Sequence, residues 1–177
     1  MNEPRQRLFF ALWPPAELAR QMWHVARDSF DLRGARLLQI EQLHLTLAYL
    51  GSCDGEQRRC AEAVAGSVVA EPFTLSLSCL GLWPRPRVGW IAPQGTPPAL
   101  QILVGRLQQG LGECGFSIDA RPWQAHLTLV RKLRRPPRRE TLAEPLDWPI
   151  NEFALVESRT LPGGAEYRIL QRWPLKG

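Results

Sequence analysis

The tetrapeptide His-Leu-Thr-Leu stands twice in this chain, at 44–47 and at 126–129, and each copy closes a similar order of elements. In the first half the apolar run Leu8 to Trp13 reads as a strand closed by Pro14-Pro15. A helical pattern follows over about residues 15–30, with Leu18, Met22, Val25 and Ala26 at helical spacing. Ala35 to Ile40 is extended, and Leu43 to Leu50 is a strand that Gly51 ends. In the second half Val88 to Ala92 is a strand ending at Pro93. Pro98 to Cys114 is a helix with Leu100, Leu103, Val104, Leu107 and Leu111 on one face, and Ala125 to Val130 is a strand. His44 follows Leu8 by 36 positions and His126 follows Val88 by 38. A duplication on this scale is too long for a solenoid repeat and predicts two pseudo-symmetric lobes, with approximate sequence halves 1–84 and 85–177, facing each other within one domain. The remaining pattern predicts a helix over about Glu56 to Ala70, an alternating strand Phe73 to Leu80, a short helix Arg138 to Leu146, and closing strands Phe153 to Ser158 and Tyr167 to Trp173.

Alternation gives the repeated motif its chemistry. On a strand His44 and Thr46 share one face and Leu43, Leu45 and Leu47 the other, and His126 and Thr128 stand likewise against Leu127 and Leu129. Each strand thus offers an imidazole and a hydroxyl about 7 Å apart, anchored by leucines in a core. Two such strands around one cavity suit attack at phosphorus. A neutral imidazole takes a proton from the nucleophile and a protonated one gives a proton to the leaving oxygen, both states being accessible because histidine titrates near 6.5. Thr46 and Thr128 are neutral donors for the non-bridging oxygens, and the scheme needs neither metal nor cofactor. His24, in a helical stretch with no threonine partner and no counterpart, is expected to be a surface or packing residue.

Composition bounds the partners. The 177 residues suffice for one domain or two small lobes, and 45% hydrophobic with 22% charged residues excludes intrinsic disorder. A net charge of +5 and a pI near 9.5 favour an anionic partner, nucleic acid foremost. Cys53, Cys60, Cys79 and Cys114 form no Cys-x-x-Cys pair and no zinc spacing, and are expected to be reduced thiols in a cytoplasmic protein. The apolar run before Pro14 is too short for a signal peptide, and no stretch approaches the roughly 20 apolar residues of a membrane span.

The chain resembles the two-histidine phosphoesterase superfamily, defined by paired HxTx motifs, and within it the RNA 2′,3′-cyclic phosphodiesterase (2′-5′ RNA ligase) family. The resemblance rests on RLFFAL at 7–12, LHLTLAYLG at 43–51, RVGWIAP at 87–93, HLTLVRK at 126–132 and LVESRTLPGGAEYRILQRWPL at 155–175, in that order. It implies an α+β fold of two lobes, each an antiparallel sheet with helices on its outer face, around a central cleft. It also implies hydrolysis of a terminal RNA 2′,3′-cyclic phosphate to a 2′-phosphate, with His126 as proton acceptor, His44 as proton donor and Thr46 and Thr128 gripping the phosphate. The near-symmetry of the motifs leaves the acid and base roles open to exchange. The reverse joining of a cyclic phosphate to a 5′-hydroxyl, giving a 2′-5′ linkage, follows from microscopic reversibility and uses no nucleotide cofactor. The implied partner is RNA with a cyclic phosphate end, tRNA fragments included, met by a monomer and without a membrane.

Two departures and two further candidates accompany the resemblance. Ala125 stands where the family often has proline. Arg131 matches an arginine the family often places five residues after the second histidine, yet strict alternation puts it on the face opposite His126 unless the strand ends or bulges. Phe10 is the candidate for stacking a base beside the first motif, and the basic run Arg131 to Arg139, with six Lys/Arg and two prolines, reads as a solvated loop or an RNA-steering surface. The competing functions are a phosphodiesterase for small cyclic nucleotides or ADP-ribose 1″,2″-cyclic phosphate, and a non-catalytic module that grips RNA ends.

Overall fold

A strand buried at five successive positions, Leu8 to Leu12, must be covered on both faces, and this one lies inside a sheet. The computed structural model describes residues 4–177. Its strands are β1 (Gln6–Leu12), β2 (Arg36–Leu37), β3 (Leu45–Cys53), β4 (Phe73–Trp83), β5 (Val88–Pro93), β6 (Leu127–Arg131), β7 (Thr141–Ile150), β8 (Glu152–Leu161) and β9 (Gly164–Pro174). The helices are α1 (Ala16–Ser29), α2 (Gly55–Ser67) and α3 (Pro98–Glu113), with a 3-10 turn at Ile40–Gln42. The first sheet runs β3-β1-β8-β9 and the second β2-β6-β5-β4-β7. Each neighbouring pair of strands is antiparallel.

The two faces of β1 have different fates. Leu8, Phe10 and Leu12 enter the main core with Leu18, Met22 and Ala26 of α1 and the apolar stripe of α3. Phe9 and Ala11 turn the other way, into a smaller cluster with Ala154 and Val156 of β8, against which Trp13, Tyr167 and Ile169 pack. At about 25 cal/mol per Å² of apolar area, burying such faces supplies the main drive for docking the helices. Asp54 caps α2, accepting from the Gln57 amide at 2.9 Å while the Gln57 side chain accepts from the Asp54 amide at 3.1 Å.

The sheets do not coincide with sequence halves 1–84 and 85–177. β2 and β4 from the first half join the second sheet, and β8 and β9 from the second half complete the first. Of the expected helix at 138–146, residues 138–140 are irregular and Thr141 onward belongs to strand β7, paired with β4 at the sheet edge. Leu142 and Leu146 have helical spacing, but Leu146, Trp148 and Ile150 alternate inward, and Pro145 and Pro149 are tolerated on an edge strand. β3 runs on through Gly51, at φ +74°, as far as Cys53.

The expectation of four reduced thiols is also corrected, because Cys60 on α2 and Cys114 at the end of α3 form a disulfide, with Cα atoms 6.0 Å apart. Close packing of the two helices brings the cysteines together. A Cβ on Gly110 of α3 would stand 2.6 Å from Val64 Cγ1 of α2, so only glycine permits this approach. Cys53 and Cys79 are free.

Candidate active site

Each histidine lies one residue ahead of a strand, His44 before β3 and His126 before β6. Leu43, Leu45 and Leu47 are buried on one side, as are Ala125, Leu127 and Leu129 on the other, so both His/Thr pairs are left half-buried and facing away from the core. His44 Nδ1 bonds the carbonyl oxygen of Gln42 at 2.7 Å, and His126 Nδ1 bonds that of Gln124 at 2.9 Å. A carbonyl only accepts, so Nδ1 carries hydrogen in both rings and Nε2 is the nitrogen left available to exchange a proton. The Gln42 carbonyl is itself fixed. The Gln42 amide donates to the Gln39 carbonyl at 3.0 Å, and its side chain donates to the Ala165 carbonyl at 2.9 Å.

The two rings have unequal surroundings. Trp13 stacks on His44 with centroids 5.0 Å apart and planes 6° from parallel, while Phe9 and Tyr167 each stand 4.9 Å away. His126 has Trp83 edge-on at 4.4 Å. Burial pushes the His44 pKa down to about 4, against the opposing pull of the Gln42 carbonyl, and the positive charges of Arg131 and His126 push it further. Burial lowers the His126 pKa also, opposed by the Gln124 carbonyl. Arg131 and His126 are thus close enough to His44 for their charges to act on it. A cleft of about 900 Å³ is lined by Thr46 and Tyr49 on one side and by Trp83, Arg85, Trp123 and His126 on another, whereas His44, Thr128 and Arg131 are not among its lining residues.

Arg131 reaches the face of His126 and Thr128 by a bulge. Between β5 and β6 the register passes from Gly89 opposite Val130 to Trp90 opposite Thr128, which leaves Leu129 as an extra residue. Leu129 and Val130 are consequently both buried, and Arg131 returns to the face of His126 and Thr128. The first motif does the same. Between β1 and β3 the register passes from Phe10 opposite Ala48 to Ala11 opposite Thr46, with Leu47 as the extra residue. Tyr49, five residues after His44, is therefore the counterpart of Arg131; it lines the cleft and its hydroxyl accepts from Arg7 Nε at 2.8 Å.

Phe10 is not a stacking residue. It is fully buried, with Phe153 and Trp173 at 6.0 and 5.9 Å, because β1 alternation turns it into the main core; Phe9 is the aromatic that faces the histidine. His24 is exposed on α1, beside Trp23. Trp13, Tyr49 and Tyr167 are site residues that sequence reasoning missed. Tyr49 had a usable signal, its position relative to His44 matching that of Arg131 relative to His126, whereas Tyr167 arrives from β9, about 120 residues away in the chain. Among the described residues no three His, Cys, Asp or Glu side chains gather as a metal-ligand group.

The sequence model of the 2′-5′ RNA ligase superfamily matches residues 14–160, the segment that contains both motifs. The chain belongs to that superfamily. It is 35% identical over 178 aligned positions to the RNA 2′,3′-cyclic phosphodiesterase of Escherichia coli (strain K12), covering 99% of both chains. It is 30% identical to the protein of the same name from Thermus thermophilus, covering 97% of this chain and 91% of the relative. The crystal structure of E. coli LigT complexed with 3′-AMP superposes with a TM-score of 0.91 at 32% identity, covering 98% of this chain and 99% of that one. The α+β architecture expected from the superfamily is the one observed. No helix among the described residues is long and apolar enough to cross a membrane.

Proposed function

We propose that this superfamily member hydrolyses RNA 2′,3′-cyclic phosphate ends to 2′-phosphates, with His44 and His126 as the acid/base pair and without a metal ion. The reading is carried by the matched Nδ1 hydrogen bonds to the Gln42 and Gln124 carbonyls, which leave two Nε2 atoms for proton transfer. The kinship with proteins named RNA 2′,3′-cyclic phosphodiesterase supports the substrate class. Water attacks phosphorus as His126 Nε2 takes its proton, the P–O3′ bond breaks, and His44 Nε2–H delivers a proton to O3′. The products are a 2′-phosphomonoester and a 3′-hydroxyl. Thr46 and Thr128 donate to the non-bridging oxygens, and Arg131 offsets the charge that develops on them. Replacing water by a 5′-hydroxyl gives a 2′-5′ linkage through the same displacement.

The assignment of roles has support on each side. His126 borders the open cleft where water arrives, which suits the base. His44, boxed by Phe9, Trp13 and Tyr167, is shielded from bulk water and, once an anionic phosphodiester sits beside it, is driven toward its protonated form. The lowering of its pKa by burial favours the exchanged roles. A substrate with sulfur in place of O3′ separates the two, because a thiolate leaves without needing a proton. The alanine variant of the acid then regains most of its rate on the sulfur substrate, and the variant of the base does not. Turnover of the natural end by wild type in EDTA, lost in both His44→Ala and His126→Ala, is the primary test; a variant that keeps near wild-type rate eliminates the paired-histidine mechanism.

A further inference from the structure

Nine of the twenty arginines of this chain are neutralised locally. Arg5, Arg20, Arg27, Arg33, Arg58, Arg121, Arg135, Arg159 and Arg172 each have a carboxylate within 4 Å. Eleven, all exposed, have none among the described residues, and Arg36, Arg131 and Arg134 are three of these. These three are also contiguous. Arg36 of β2 stands directly opposite Arg131 of β6 in the antiparallel register, so the two side chains share a sheet face despite like charge. The Arg36 guanidinium lies against the turn between β8 and β9, where a Cβ on Gly164 would come within 3.1 Å of Nη2. That turn is three residues from Tyr167, which packs on His44. The Arg134 guanidinium lies over Gly34, in the turn two residues before Arg36.

Placing like charges directly opposite on a sheet costs stability, and no carboxylate offsets it here. Such a row lowers the free energy only when an anion with several charges lies along it. We propose that Arg36 and Arg134 continue the positive face of Arg131 as a ridge that holds the RNA phosphodiester backbone 5′ of the terminal nucleotide, so that strand ends are preferred to free mononucleotide cyclic phosphates. This rests on the reading of the cleft as a cyclic phosphodiesterase site. It assigns a role to part of the basic run at 131–139, while Arg135 is tied to Asp31 at 3.7 Å and Arg139 to Ser29 at 3.3 Å.

The test is equilibrium binding of a labelled oligoribonucleotide of about twelve residues ending in 2′-phosphate, by fluorescence anisotropy at several salt concentrations. It compares wild type, the double variant Arg36→Gln/Arg134→Gln, and a charge-matched control, Arg59→Gln/Arg106→Gln, on α2 and α3. The double variant is expected to bind about tenfold more weakly at low salt, with a slope of log affinity against log salt shallower by about 1.4, at roughly 0.7 for each single-strand phosphate left without its arginine. The control shifts the slope by less than half as much. In parallel, the ratio of kcat/KM for the cyclic-phosphate-ended oligonucleotide to that for a nucleoside 2′,3′-cyclic phosphate falls about tenfold in the double variant. Wild-type turnover of both substrates, with a slope the double variant leaves at the control value, overturns the ridge and spares the cleft. Absence of wild-type turnover on either substrate overturns the cleft reading and the ridge with it.

Discussion

Acidification should destabilise this protein through one histidine, and the amount can be worked out. The folded pKa of His44, about 4, lies below the ordinary value near 6.5 that the unfolded chain recovers. Between those values the unfolded chain holds the proton and the native site excludes it, so stability is complete above about pH 6.5 and falls as pH drops, levelling near pH 4. Linkage sets the loss at about 2 kcal/mol by pH 5 and about 3 kcal/mol by pH 4. Other groups titrate over the same range, but a difference removes them. Urea unfolding of wild type and His44→Gln at several pH values between about 4 and 7 gives two stability curves, and their gap should change by about 3 kcal/mol, wild type losing the more. Parallel curves would refute the argument, since they would mean that the Trp13, Phe9 and Tyr167 enclosure does not desolvate the ring.

Three other outcomes follow from the same geometry. A bound phosphodiester anion raises the pKa of a neighbouring imidazole, so the alkaline limb of kcat, which reports the loaded site, should lie at higher pH than the alkaline limb of kcat/KM; coincident limbs would contradict it. A Cβ at Gly81 would stand 2.2 Å from Trp90 Cζ2, and Trp90 packs on Trp83, which packs on His126. Gly81→Ala should therefore cost about 1–3 kcal/mol in thermal or urea unfolding and also lower kcat, by displacing Trp83; a stable variant with full kcat would show that the tryptophans are not coupled to the histidine. Reducing the Cys60–Cys114 disulfide releases a crosslink over a sequence separation of 54, worth about 4 kcal/mol on chain entropy. Cys60→Ser compared with wild type in urea, with and without reductant, measures it: wild type should drop to the variant's midpoint when reduced.

Much of the chemistry was legible in the chain because strand alternation is a local rule. His44, Thr46, His126 and Thr128 occupy one face wherever such a strand forms, and their leucines fix which face is buried. The α3 stripe Leu100, Leu103, Val104, Leu107 and Leu111 was equally legible and is wholly buried. The 138–146 segment was not, since Leu142 and Leu146 satisfy a helical period as well as a strand face, and only pairing with β4 decides between them.

The sequence by itself determined the paired His-x-Thr motifs, their duplication, the strands that follow them and the net positive charge of the chain. Tertiary structure decided what those groups meet. The exchange of β2, β4, β8 and β9 between sheets, the disulfide and the aromatic box of Trp13, Phe9 and Tyr167 join residues far apart in the chain, which no local period encodes. The bulges at Leu47 and Leu129 are the clearest case. The extra residue at each of these positions exchanges the faces just beyond it, bringing Tyr49 to the cleft and Arg131 to the face of His126 and Thr128, because side-chain direction has a period of two and the register is set by the neighbouring strand.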